Sequence, residues 1–397
     1  MRLPYLVAYA AGAACSSSPA HPPVTSMQMN DLSVLMPLPT SSGELDAMLA
    51  PTAAGNGGEL LPLDIYEMGG AIPPDQLRVV GFRFDPCFGA TGTITDATPC
   101  ANQLRLVFQP VGFDDTISPP HAIADDDGVH AFYSLTREQL LDAIDEVVAA
   151  RESDAGDDDL GPLAPHPVIV RETNTGALAQ AYRAIITKYA GAANLTRFTT
   201  LQVGLFDEGG SNFVGGGDFW DFEGHDVAAG ATTPMIIPTL PDSPLAMNIT
   251  AGTGPLESEA MPVTTSTDGF PLLQSFSMAS SSSAAQRQAA LDGALRVLNP
   301  RDNSPNTIDC GSCHLAQPAI ELVGEQLGMT TAGNPNAFVA SSLIPAADLV
   351  QTTQLVDTVD AGLNIHAFSY RNTSPMINQR VIDETAANLE YLASLGN

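Results

Sequence analysis

Two short stretches in the first third of the chain, residues 77–84 and 103–108, alternate apolar and polar side chains in the pattern of a half-buried β-strand. Cys87 follows the first stretch and Cys100 precedes the second. A disulfide between these cysteines would close a long connection, and in the chain-entropy model it would stabilise the fold by roughly 3 kcal/mol. The sequence therefore predicts two neighbouring antiparallel strands joined by a Cys87–Cys100 disulfide, with two buried free thiols as the alternative.

Helices are predicted among these strands. Thr136 and Gln139 have the spacing of a capping box, and residues 140–148 carry an apolar stripe behind it. A second amphipathic run spans residues 178–189. We therefore expect residues 32–270 to form one α+β domain. Three further runs have strand character: residues 32–38, 198–206 and 219–222.

The chain is strongly acidic. Its 397 residues include 45 Asp and Glu against 15 Lys and Arg, which gives a formal net charge of −30. Because such a field repels phosphate backbones, nucleic acid is excluded as a partner. The acidity is either a solvated surface or a docking face for a basic partner.

The most specific motif of the chain is Cys310-Gly311-Ser312-Cys313-His314. The spacing C-x-x-C-H is the covalent attachment site of a c-type haem. Two variable residues let the thiols reach the two vinyl groups of the haem, and the adjacent histidine ligates the iron. The sequence therefore predicts one covalent haem c, attached through Cys310 and Cys313, with His314 as the proximal iron ligand.

A C-x-x-C spacing also occurs in redox, zinc and structural disulfide sites. A thioredoxin-like C-x-x-C follows a strand, whereas residues 303–307 have the composition of a loop. A zinc site needs a further Cys or His pair, and the sequence has none at the right spacing. A structural disulfide between Cys310 and Cys313 would be strained, but it stays open as the main alternative.

The N-terminus has the pattern of an export signal. Residues 3–14 form an apolar run behind Arg2 that is too short to span a bilayer and ends in small residues. With Cys15 directly after it, this segment resembles a bacterial lipoprotein signal, although Gly12 stands where such signals usually carry Leu. The resemblance implies a signal peptide at residues 1–14 and lipidation of Cys15. An ordinary cleaved secretion signal is the alternative.

The same resemblance implies the location of the protein. Residues 15–31 would form a lipidated tether, since residues 16–26 show no hydrophobic periodicity. Ser16 after the cysteine implies the outer membrane of the bacterial cell envelope, on its periplasmic or surface side. We expect membrane contact only through the lipid anchor.

The flanks of the haem motif add a second resemblance. A leucine repeat at helical spacing lies between the polar residues 280–283 and Pro300, and the chain ends in a predicted helix with Asp383 and Glu384 in its first turn. This order resembles a monohaem class I cytochrome c domain. The resemblance implies a Ser-rich linker at residues 271–283 and a mainly α haem domain at residues 284–397, behind the α+β domain.

The resemblance also implies a distal iron ligand. Met376, in Ser374-Pro375-Met376, has the position of the family's thioether ligand in the chain. His366, in a run with strand character, is the rival, and an open site is the third possibility. The remaining histidines, His130 among them, show no ligand spacing, and we expect them to be surface or core residues.

Together these features predict an exported monohaem c-type cytochrome that transfers electrons with unidentified redox partner proteins. A single C-x-x-C-H distinguishes it from multihaem proteins, and no catalytic site is evident, which favours electron transfer over catalysis. The alternative is a periplasmic or surface binding lipoprotein without haem, its C-x-x-C oxidised to a disulfide.

The N-terminal signal is testable directly. We expect the mature protein to partition into detergent with an acylated N-terminus, and Cys15→Ser to release it or to block its processing. Detergent phase separation measures the partitioning, and mass spectrometry of the N-terminal peptide detects the acylation and the processing. A wild-type protein with an unmodified N-terminus that begins elsewhere would contradict the lipoprotein prediction.

Overall fold

The computed structural model describes most of residues 27–395. The predicted signal peptide, Cys15 and Cys100 lie outside the described residues. None of the described helices is both long and apolar enough to cross a membrane. The gaps inside the described range are residues 67–71, 88–100, 115–119, 156–158, 204–217, 238–239, 245, 252–256, 259–271, 274–275, 304–307, 309, 325 and 354–365.

An antiparallel sheet of ten strands forms the centre of the described structure. The described strands are β1 (Ser33–Leu35), β2 (Ala54–Gly55), β3 (Gly58–Glu59), β4 (Leu77–Asp85), β5 (Asn102–Asp114), β6 (His121–Ala124), β7 (Gly128–Leu135), β8 (Leu195–Val203), β9 (Asp218–Ala228), β10 (Ala231–Pro234), β11 (Ile236–Ile237), β12 (Leu240–Pro244), β13 (Ala246–Ala251), β14 (Glu257–Ser258), β15 (Phe368–Arg371) and β16 (Ser374–Ile377). The sheet has the order β1-β4-β5-β7-β8-β9-β13-β14, with β6 paired to β5 and β10 to β9. The pairs β2-β3, β11-β12 and β15-β16 are separate.

Helices precede, connect and follow these strands. A π-helical turn, Ile320–Gly324, follows the ninth helix directly. The described helices are α1 (Met29–Leu32), α2 (Ser42–Ala47), α3 (Leu63–Tyr66), α4 (Arg137–Ala155), α5 (Pro167–Glu172), α6 (Ala177–Tyr189), α7 (Phe276–Ser281), α8 (Ala284–Leu298), α9 (Cys310–Ala319) and α10 (Gln379–Leu395).

Local sequence signals predicted several of these elements correctly. The alternating stretches are β4 and β5, which pair antiparallel as expected. The capping box before α4 is confirmed, because the Gln139 backbone N–H donates to Thr136 Oγ1 at 3.1 Å and the Thr136 N–H donates to Gln139 Oε1 at 2.9 Å. Cys87 is disulfide-bonded; its predicted partner Cys100 lies outside the described residues.

Alternation along the central strands gives the sheet two different faces. One face packs against α4 and α6; here the Phe82 and Tyr182 rings meet edge to face at 5.6 Å. On the other face, the register aligns Val107, His130 and Thr199 of three neighbouring strands in one row. We call this second face the site face. It carries Arg83, Arg105, Val107, His130, Phe132, Arg197 and Thr199.

The expected fold class, an α+β domain followed by a mainly α cytochrome c-like domain, is wrong. The C-terminal part contains the β15-β16 hairpin, and the apolar side of α10 belongs to the same core as β1 and β4. Ser33 and Thr385 share a buried hydrogen bond of 2.6 Å, and Asn388 Nδ2 donates to the Phe84 carbonyl at 3.0 Å. The apolar pattern of a helix predicts that one face is buried but not which surface covers it. Here that surface is the sheet.

The start of α10 also differs from the expectation. The helix begins at Gln379, so Asp383 and Glu384 lie in its second turn rather than its first. The division at residues 271–283 stays a prediction, since most of residues 259–275 lie outside the described part of the chain.

A fully buried ion pair connects α1 to α4. Arg151 Nε lies 2.9 Å from Asp31 Oδ1, and both side chains are completely shielded from solvent. The other carboxylate oxygen accepts the Gln28 backbone N–H at 2.8 Å. Burial raises the pKa of Asp31 more strongly than Arg151 lowers it. Loss of one partner would leave an uncompensated charge in the core.

We expect Asp31→Asn to lower the free energy of unfolding by about 3–5 kcal/mol, because the fully buried Arg151 would lose the Asp31 carboxylate. Urea denaturation measures this loss. The control is Arg171→Gln: Arg171 is 59% exposed and pairs with Glu172 at 3.5 Å, so its removal should cost at most about 1 kcal/mol. Equal effects of the two substitutions would contradict the structural role of the buried pair.

Candidate haem-binding site

The C-x-x-C-H motif forms the first turns of α9. Because residues three and four apart share a helix face, Cys310, Cys313 and His314 lie on one side. Pro318 lies inside the same helix and has no N–H for the carbonyl of His314, four residues earlier. The π-helical turn follows two residues later, as such irregularities often do near functional sites.

Two adjoining cavities of about 450 and 700 Å³ separate the motif from the site face. Both are lined by Cys310 and His314, and the larger one also by Cys313. The walls that the two cavities share outside the motif are Val107, His130, Thr199, Ala367 and Phe368.

The wall opposite the motif is partly apolar. Phe368 belongs to β15, which packs over the site face. The Phe368 ring lies there in close contact with the backbone of the sheet at Gly81. A Cβ atom on Gly81 would lie 2.9 Å from the Phe368 ring and 3.0 Å from the Val34 carbonyl oxygen. Only glycine at position 81 therefore allows the ring to reach the sheet. Further apolar residues on the cavity walls are Phe132, Phe222, Met235 and Ile308.

Four of the chain's 15 basic residues line the larger cavity: Arg83, Arg105, Arg197 and Arg380. Arg105 binds Asp85 through Nε at 3.0 Å and Nη2 at 2.6 Å. The Arg197 Nε donates to an Asp226 oxygen at 2.7 Å. In a chain with a net charge of −30, this cavity is therefore an unusual concentration of cations.

Glu384 also lines the larger cavity and connects two of the arginines. Its carboxylate oxygens lie 3.0 Å from Arg83 Nη2 and 3.5 Å from Arg380 Nη2. Burial alone would raise the pKa of Glu384, but the charges of Arg83, Arg380 and Arg105 overcome it and hold the pKa at about 2. Glu384 is therefore a buried anion at every physiological pH.

Three histidines converge on the smaller cavity: His130, His314 and His366. The ring centroids of His130 and His314 are 6.4 Å apart, and their planes are inclined by 28°. His366 is 4% exposed, and its Nε2 lies 3.5 Å from Asp126 Oδ1. Burial, together with His314 and Arg371, lowers the pKa of His366 to about 3. Burial and Arg105 lower the pKa of His130 well below its ordinary value. Both imidazoles are therefore neutral at pH 7.

The structure brings together some of the residues predicted from sequence. Cys310, Cys313, His314 and His366 lie at the cavities, and neither cysteine forms a disulfide. Met376 lies in β16, where it pairs with Ser369 and is buried, and it lines neither cavity.

Sequence reasoning missed His130 and the arginines. A single histidine in β7 gives no ligand spacing, and only the register with β5 and β8 places it opposite the motif. One signal was available. Side chains alternate between the two faces of a strand, so His130 and Phe132 lie on the face opposite the core residues Val129, Ala131 and Tyr133.

These residues fit a covalent haem. Two cysteines without a disulfide and an imidazole line adjoining cavities, and neutral histidines and arginines occupy the opposite wall. In the described part of the chain, no group of three or more His, Cys, Asp or Glu side chains is arranged to hold a bare metal ion.

No family model, curated protein or solved structure matches this chain.

A second, open cleft of about 1190 Å³ is lined by Gln317 near the end of α9 and by residues of α8 and of the π-helical turn. Asp383 of α10 lines it and accepts a hydrogen bond from Gln379 Nε2 at 2.8 Å. Burial raises the pKa of Asp383 to about 7, with Gln379 and Arg380 opposing the shift. The pKa values of these two neighbouring carboxyl groups of α10 are therefore shifted in opposite directions. Three arginines surround Glu384, whereas Asp383 faces the cleft.

This shift predicts a pH-dependent stability. The unfolded Asp383 ionises near its ordinary pKa of 3.8, whereas the folded one keeps its proton up to about pH 7, so its contribution is lost as pH rises through that window. Asn mimics the protonated form. The stability advantage of Asp383→Asn over wild type should therefore grow by about 2–3 kcal/mol between pH 5 and pH 8.

Urea denaturation of both proteins at the two pH values measures this difference, and the remaining carboxyl groups are common to both. An advantage that is constant with pH, or one that shrinks as pH rises, would show that Asp383 does not keep its proton in the folded protein.

Proposed function

We propose that this chain is an exported monohaem c-type cytochrome that transfers electrons. The observation that carries the proposal is the convergence of Cys310, Cys313 and His314 on a cavity whose opposite wall holds apolar, cationic and imidazole side chains. The haem would lie against an antiparallel sheet, which sets the chain apart from a mainly α cytochrome c domain.

Attachment would use the two cysteine thiols. Each S–H bond adds across one vinyl C=C bond: the sulfur bonds to one carbon and the hydrogen to the other, so the addition needs no external oxidant or reductant. Cys310 and Cys313, one helical turn apart, would tether the two vinyl groups. His314 would ligate the iron from the same helix.

The remaining residues would set the environment of the cofactor. When bound, the haem supplies an iron that cycles between two oxidation states. Phe132, Phe222 and Phe368 exclude water from the cavity and favour a flat apolar ligand. The low dielectric of such walls would shift the reduction potential of the haem iron, and burial is one way in which a protein sets that potential.

The arginines explain how a strongly acidic chain could hold an anionic cofactor. A haem carries two propionates, and Arg is the side chain best suited to bind carboxylates. Arg197 is 22% exposed, so it lies closer to solvent than Arg105, which is 8% exposed. We propose these two arginines for the propionates, and Arg83 with Arg380 as the charges that hold Glu384.

Electron exchange requires that an edge of the cofactor reach the surface. Cys310 and Cys313 are both partly exposed, so the thioether edge would be the side open to redox partner proteins. The net charge of −30 favours a basic docking surface on such partners. Export, from the signal at residues 1–14 and Cys15, would bring the chain to the compartment where haem c is attached.

Haem content tests the proposal. Protein made in a host with haem-maturation machinery should contain one haem per chain that survives denaturation and acid extraction, because thioether bonds are covalent. The double variant Cys310→Ala, Cys313→Ala should lose it. Ser312→Ala is the matched control, since its position in C-x-x-C-H is variable, and it should keep the haem.

Absorbance of the denatured protein in alkaline pyridine quantifies covalent haem in all three. Colourless wild-type protein, or haem that is extracted from it by acid, would overturn the proposal. Reversible reduction and reoxidation in voltammetry, without turnover of a substrate, distinguishes electron transfer from catalysis.

A further inference from the structure

We infer that His130 is the second axial ligand of the iron. The inference rests on the proposed function, because it assumes a haem at the motif. It assigns the distal position to a residue of the sheet, far before the proximal histidine in the chain and outside the C-terminal segment that resembles a cytochrome.

The spacing of two imidazoles supports this assignment first. A metal–nitrogen bond to histidine is about 2.0 Å long, and a ring nitrogen lies about 1.1 Å from the ring centre, so two imidazoles on opposite sides of one metal have centres about 6.2 Å apart. The centres of the His130 and His314 rings are 6.4 Å apart. The separation of the two ring centres therefore agrees with the separation expected for two imidazoles on one iron.

The position of His130 in the sheet supports it independently. β7 lies between β5 and β8, and residue 130 is in register with Val107 on one side and Thr199 on the other. Both neighbours line the same two cavities as His130. A backbone paired on both sides holds the imidazole at a fixed distance from α9, as an axial ligand requires.

The rival ligands are placed less well. Met376 lines neither cavity at the motif. His366 lines the smaller cavity only, and its Nε2 lies 3.5 Å from an Asp126 carboxylate oxygen. His130, by contrast, lines both cavities, together with Cys310 and His314.

The test compares His130→Ala with the matched control His366→Ala in haem-loaded, full-length protein. Wild type should be low-spin, without the long-wavelength sulfur-to-iron band. His130→Ala should keep its covalent haem but become high-spin in the ferric state, and its ferrous form should bind carbon monoxide. Added imidazole should restore the low-spin spectrum, whereas His366→Ala should resemble wild type throughout.

A second substitution covers the case in which His130→Ala does not accumulate. In His130→Met the thioether should bind the iron, so the sulfur-to-iron band should appear and the reduction potential should rise. Unchanged spectra in both His130 variants, or a high-spin His366→Ala, would overturn the inference while the haem content upholds the proposed function. Absence of haem from wild type would instead overturn the proposed function.

Discussion

The buried carboxylate of Glu384 holds the candidate site together. It lies between Arg83 of the sheet and Arg380 of its own helix, and Arg380 also donates to the carbonyls of Val297 and Asn303 at 2.9 and 2.6 Å. One anion thus connects β4, α10 and the end of α8. Removal of Glu384 would take the shared counter-charge from two buried arginines, so the site face and the helices around the C-x-x-C-H motif depend on this cluster.

Positive charge is concentrated at one cavity of this acidic chain. The chain has a net charge of −30, while four arginines line one internal cavity. All four arginines have a carboxylate partner, and the three carboxylates belong to Asp85, Asp226 and Glu384. A cavity with this balance accepts an anionic ligand that the outer surface would repel.

Local patterns in the sequence determined what could be predicted. Alternation located β4 and β5, a capping box located the start of α4, and the C-x-x-C-H spacing located the candidate cofactor site. Each of these signals is complete within a few residues. The prediction of the fold class was wrong because the fold class depends on which surface covers the apolar side of α10. That surface is formed by strands about 300 residues earlier in the chain.

The opposite wall of the site could not be predicted for the same reason. His130, Arg105 and Arg197 meet only through the register of three neighbouring strands, and register is a property of the assembled sheet. His366 lines the smaller cavity, but the strand expected around it begins at Phe368 instead.

The central claim is that the motif and the site face enclose one haem. Anomalous scattering at the iron edge, from crystals of protein matured with haem, locates the metal directly. We expect a single iron between α9 and β7, bonded to His314. An iron in the cleft lined by Gln317 and Asp383, or the absence of any iron peak, would contradict this claim.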